Sequence, residues 1–129
     1  MGQASAVDEF LGAIELATIA GCDAWSDDAV LDATVPNWRM RVSGPEAIRA
    51  EYGRWFADRA VFEDLHRHEM PGIGELVEYT LRWTENGVPH AGHHMHLLTV
   101  RDDRIVSDLV FCGGRWPATL LAEMEAAGE

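Results

Sequence analysis

Apolar positions recur every three to four residues at the start of the chain and every second residue over most of its second half. Val7, Phe10, Ile14 and Ala17 form a helical stripe. Ser5 with Asp8 three residues on gives it a capping-box-like start, and Gly21 ends it. A short second helix is expected after Cys22, capped by Asp23, with Trp25 on its inner side. Between Val30 and Pro36 helical periodicity lapses, and Trp38, Met40 and Val42 alternate with Arg39 and Arg41 as in a strand. Ser43-Gly44-Pro45-Glu46 then opens a helix, with a capping Ser or Gly, Pro in the first turn and an acid near the positive end of the dipole. Ile48, Tyr52, Trp55 and Phe56 give that helix a broad aromatic face.

Downstream the period becomes two. Val61 to Met70, Glu75 to Glu85, Val88 to Arg101 and Arg104 to Cys112 read as four strands. Asn86-Gly87 is a type I′ hairpin signal, and Asp102-Asp103 is a weaker turn. Gly113-Gly114 breaks the last strand, and Pro117 opens a final helix whose Leu120, Leu121 and Met124 are expected to pack inward. The order predicts an α+β domain, a curved antiparallel sheet wrapped around three to four helices. Such a cone has a mouth that can hold a small molecule.

Composition narrows the function classes. A length of 129 residues argues for one domain over 1–129, and a hydrophobic share of 47% excludes a disordered chain. No run of 18 apolar residues occurs, and residues 1–20 lack a basic leader and carry Glu9 and Glu15, so a spanning helix and a signal peptide are not expected. With 10 Lys+Arg against 22 Asp+Glu the formal charge is −12, which repels phosphate backbones and anionic lipid. No nucleic-acid or membrane partner is therefore expected. Cys22 and Cys112 form neither a CxxC pair nor a disulfide framework, and the expected location is cytoplasmic.

Three segments carry a family resemblance: Ser26-Asp27-Asp28-Ala29-Val30, Val42-Ser43-Gly44-Pro45-Glu46-Ala47-Ile48-Arg49, and Asp103-Arg104-Ile105-Val106. With the element order, they resemble the nuclear transport factor 2-like superfamily, and within it the SnoaL-like polyketide cyclases and ketosteroid isomerases. The resemblance implies a cystatin-like cone with a central pocket and, in most members, a homodimer through the outer sheet face, where Met95 and Leu97 project. Its activities do not transfer residue by residue. Ala33 stands where the isomerases resemble one another in a general-base Asp, His96 where they carry a second acid, and no Tyr precedes Tyr52. Cys112-Gly113 replaces the catalytic Asp of SnoaL-like cyclases. The epoxide hydrolases' Arg-x-Asp pair reads His94-x-His96, with Asp108 on the following strand.

Six histidines, at 66, 68, 90, 93, 94 and 96, invite two readings. Two His-x-His pairs on neighbouring strands can supply metal ligands. The superfamily it resembles is not generally metal-dependent, and neither metal nor cofactor is expected. The second reading is a dyad of His96 and Asp108, with His94 assisting, in which the carboxylate fixes the imidazole for acid–base work. It depends on register. A three-residue loop over 101–103 sets His96 opposite Asp108, whereas a two-residue loop turns Asp108 to the other face. The resemblance favours the former. Tyr79, opposite His94, and Trp83, opposite His90, lead a candidate ligand-binding set that includes Trp25, Trp38, Tyr52, Phe56 and Cys112. The reading is a cofactor-free acid–base enzyme acting on a small apolar cyclic or aromatic metabolite: an isomerase, cyclase, dehydratase or hydrolase. The alternative is a non-catalytic small-molecule-binding or dimeric assembly module of the same fold.

Overall fold

A computed structural model of the chain describes residues 5–128. Helix α1 spans Ala6–Leu16 and begins with the expected capping box, in which Ser5 Oγ accepts from the Asp8 N–H and Asp8 accepts from the Ser5 N–H. It ends earlier than expected. Ala17 adopts a left-handed conformation at φ 57°, so the chain leaves the helix there and makes only a 3₁₀ turn at Ile19–Gly21.

No second helix follows Cys22. Trp25–Val35 is instead a long strand, β1, and Trp25 is buried at its start. Asp27 and Asp28 lie exposed on it, while Ala29, Leu31 and Ala33 point alternately into the core, a period of two that the acidic cluster obscures in the sequence. A turn at Pro36-Asn37 leads into β2 at Trp38–Ser43, then α2 at Pro45–Trp55. The remaining strands fall almost where the alternation places them: β3 at Ala60–Met70, β4 at Gly74–Glu85, β5 at Val88–Arg101 and β6 at Arg104–Cys112. Asn86 and Gly87 both have positive φ, as a type I′ turn requires. A two-residue strand β7, Trp116–Pro117, precedes helix α3 at Ala118–Ala127.

The strands form one curved, open sheet in the order β2-β1-β6-β5-β4-β3, with β7 paired to β5 beyond the end of β6. All neighbours are antiparallel except β1 and β6, and that parallel pair is the part of the topology the missed strand contributes. Phe10 and Ile14 of α1 and Ile48 and Tyr52 of α2 pack onto the concave face against Leu31, Val77, Leu98 and Ile105. Arg67 fastens one end by bonding Glu75 through two nitrogens and Asp8 through a third at 2.7 Å. Helix α3 packs beside β5 and β7 with no fully buried residue; Leu120 and Leu121 are half-buried and Met124 is exposed, against the expected inward packing of all three. On the convex face Met95 is exposed and Leu97 half-buried. No helix among the described residues is long and apolar enough to cross a membrane.

Candidate functional site

The β5–β6 hairpin decides which side chains enter the hollow. Its turn has two residues, Asp102 and Asp103, both at positive φ, and Arg101 faces Arg104. The expected three-residue loop is therefore absent. A simple two-residue hairpin would turn Asp108 outward, but the register shifts by one residue between Thr99 and Val100, where Ser107 and Ile105 are their partners and Val106 is left over. This bulge restores the inward parity of Asp108. Asp108 now faces Leu98, His96 faces Val110 and His94 faces Cys112. His96 and Asp108 are diagonal neighbours on the concave face, close enough for their side chains to meet.

They meet inside the core. His96 Nδ1 lies 3.0 Å from Asp108 Oδ1, and the Tyr79 hydroxyl lies 2.8 Å from His96 Nε2. The Tyr52 hydroxyl donates to Asp108 Oδ2 at 2.5 Å. One proton assignment satisfies the whole chain: Tyr79 donates to Nε2, Nδ1–H donates to the carboxylate, and Tyr52 donates to its other oxygen. Burial, reinforced by the Asp108 charge, holds both phenols protonated well above the ordinary tyrosine range. All four side chains are sealed, with His96 at 0% and Asp108 at 1% exposure. The hollow at this depth is filled by Phe10, whose ring meets His96 edge-on at 5.4 Å, and by Tyr52 and Trp25.

The cavity lies two residues away along β5. A pocket of about 410 Å³ opens between α2, the outer ends of β4–β6 and the segment after β6. Trp55, Phe56, Leu81 and Trp83 supply much of its apolar wall, His94 and Cys112 sit at its base, and Glu51, Arg54 and Arg115 lie at its mouth. Gly92 lets this end close up: a Cβ there would sit 3.4 Å from the His94 ring and 3.5 Å from Trp83. His94 packs against Trp55, Phe56 and Tyr79 and is only 5% exposed. Its Nδ1 is buried without a hydrogen-bond partner. Burial, with the neighbouring His96 and His93, lowers its pKa to about 3, so it is a neutral imidazole at pH 7. Burial also raises the Cys112 thiol, whose Sγ accepts the Gly114 N–H at 3.4 Å.

Three of the expected ligand-binding residues, Trp83, Phe56 and Cys112, line this pocket, as does His94. Tyr79, Tyr52 and Trp25 do not; they belong to the sealed core, and Trp38 is 67% exposed beside the β1–β2 turn. Tyr79 does face His94, and Trp83 faces His90, as the Asn-Gly hairpin predicts. Trp55, on the aromatic face of its helix, lines the pocket as well. Gly114 is the second residue of the Gly-Gly break, and Arg115 has no sequence signal beyond following it. Among the described residues no group of three His, Cys, Asp or Glu side chains is placed to hold a metal ion.

No protein-family model and no curated protein matches the sequence. Solved structures do match by shape. A candidate isomerase from Bacillus subtilis superposes with a TM-score of 0.69 at 16% identity, covering 84% of each chain. A candidate polyketide cyclase from Xanthomonas campestris gives 0.64 at 16% identity over 82% of this chain and 86% of its own. A protein of ketosteroid isomerase-like fold from Catenulispora acidiphila, in complex with trimethylamine, gives 0.63 at 17% identity over 87% and 88%. The chain thus has the nuclear transport factor 2-like fold, shared with a candidate isomerase and candidate polyketide cyclases.

Proposed function

We propose that this chain binds a small, flat, largely apolar cyclic or aromatic molecule in the His94 pocket. The observation that carries the reading is an apolar cavity walled by two indoles whose base holds one buried imidazole with an unpartnered nitrogen. Aromatic walls give contact area at low entropy cost, and a buried polar atom without a partner gains most from a ligand that supplies one. A catalytic reading rests on the same side chain. A neutral imidazole has a free lone pair, but a pKa of about 3 makes it a weak base at pH 7, so proton transfer by His94 requires the bound ligand to raise its basicity. On that reading His96 and Asp108 act behind it, holding Tyr79, against whose ring His94 packs.

Calorimetric titration with 2-naphthol tests the binding reading. One site is expected, weakened at least tenfold in Trp83→Ala, and absence of any binding heat together with unmoved His94 ring resonances sinks it. In the same samples, deuterium uptake at the α-carbon of 2-tetralone separates the two readings. Uptake that exceeds buffer and vanishes in His94→Leu supports catalysis, while uptake equal to buffer leaves a binding protein.

A further inference from the structure

The mouth of the pocket carries two matching clusters. In the first, Glu51 accepts from Trp55 Nε1 at 3.0 Å and from Arg54. In the second, Glu85 accepts from Trp83 Nε1 at 3.1 Å and from Arg115, whose guanidinium also lies 5.5 Å over the Trp83 ring. Each cluster fixes the indole that forms a pocket wall. Each also sets a guanidinium beyond its carboxylate. The acids are recessed, with side chains 15% and 33% exposed, while Arg54 and Arg115 are 69% and 49% exposed.

Hydrogen-bond capacity is equally lopsided. Both oxygens of Glu51 are taken; one oxygen of Glu85 receives two donors, and its other has no partner among the described residues. Among the described residues each guanidinium spends a single nitrogen on its partner, so the planar edge of donors that suits a carboxylate stays open on both. An arriving group therefore meets two open guanidinium edges against a single uncommitted carboxylate oxygen, that of Glu85. We propose that the ligand is a cyclic or aromatic carboxylic acid whose ring lies between Trp55 and Trp83 and whose carboxylate is received at the mouth by Arg54 and Arg115. The proposal names the ligand class for the pocket described above and rests on that pocket being a binding site. A net charge of −12 disfavours anions at long range, so the preference must come from these two side chains at contact.

Calorimetry with three probes of one ring size tests it: 2-naphthoate, 2-naphthol and 2-naphthylmethylammonium. 2-Naphthoate is expected to bind at least tenfold more tightly than 2-naphthol, and the ammonium most weakly. The double variant Arg54→Gln, Arg115→Gln is expected to lose at least tenfold more affinity for 2-naphthoate than for 2-naphthol, bringing the two probes to equal binding. Circular dichroism and retained binding of 2-naphthol report that the variant is folded. Equal binding of the acid and the phenol, or a preference for the ammonium, overturns the carboxylate and leaves the pocket standing; so does an acid preference that survives in the double variant. Failure of all three probes to bind overturns the pocket itself.

Discussion

His94 and His96 sit two residues apart on one face of one strand, yet their surroundings are opposite. Around His96 every polar atom has a partner: two phenols and a carboxylate close a chain with no room for a ligand. His94 keeps an unpartnered nitrogen and borders a cavity. A polar cluster in a cone is thus not a site by virtue of its chemistry alone. Satisfied and sealed, it is a fastening; unsatisfied and beside a cavity, it is available for recognition.

The two histidines should therefore answer differently to acid and to mutation. The folded-state pKa of His94 is lowered to about 3 from an ordinary 6.5, so it binds its proton more readily when unfolded. The stability it contributes is present above pH 6.5 and is lost as pH falls towards 3, by on the order of 5 kcal/mol in all. Replacing it by Leu should remove most of that acid sensitivity, and urea midpoints measured from pH 7 to pH 3 check this. A curve for His94→Leu parallel to the parent would break the contrast. At pH 7 the order reverses. Asp108→Ala strips partners from both the Tyr52 hydroxyl and His96 Nδ1 and should cost about 3–5 kcal/mol. His94→Leu removes no hydrogen bond within the protein and should stay within about 1.5 kcal/mol of the parent. Equal losses in urea unfolding would mean that the network around Asp108 is not the fastening described.

Legibility in the sequence followed the strength of local signals. Strands β3 to β6 could be placed because their alternation is long and Asn86-Gly87 fixes one hairpin almost by itself. β1 was hidden because Asp23, Asp27 and Asp28 look like a helix start, although on the strand Asp27 and Asp28 are simply solvent-facing. The hairpin register was open because a bulge at Val106 has no residue signature: a β-branched residue there looks like ordinary strand. A three-residue loop puts His96 and Asp108 on one face; that loop does not exist, and the bulge produces the same parity. Pocket membership was the least legible part. Inward parity says that Tyr79 and His94 point the same way, but only packing by Phe10, Tyr52 and Trp25 decides how deep the hollow is filled. Arg115 reaches the mouth from beyond the sheet, where no periodicity guides the eye.

The smallest expected effect concerns the boundary between the two regions. Gly92 lies where β5 leaves the filled core and passes beneath the pocket, and it stands opposite Leu81. A methyl group there meets the Gly114 carbonyl at 3.0 Å and comes into ordinary van der Waals contact with the His94 and Trp83 rings. The backbone oxygen cannot rotate away, so the segment after β6 must yield by a few tenths of an ångström, at a cost of about 1–2 kcal/mol. Gly92→Ala should thus weaken 2-naphthol binding several-fold, roughly 1 kcal/mol, while leaving the buried chain of Tyr52, Asp108, His96 and Tyr79 in place. Calorimetry reads the first effect, and the ring resonances of His96 read the second. If binding is unchanged while the His96 resonances move, the pocket and the core are coupled through this glycine, and the division between a sealed centre and an open site is wrong.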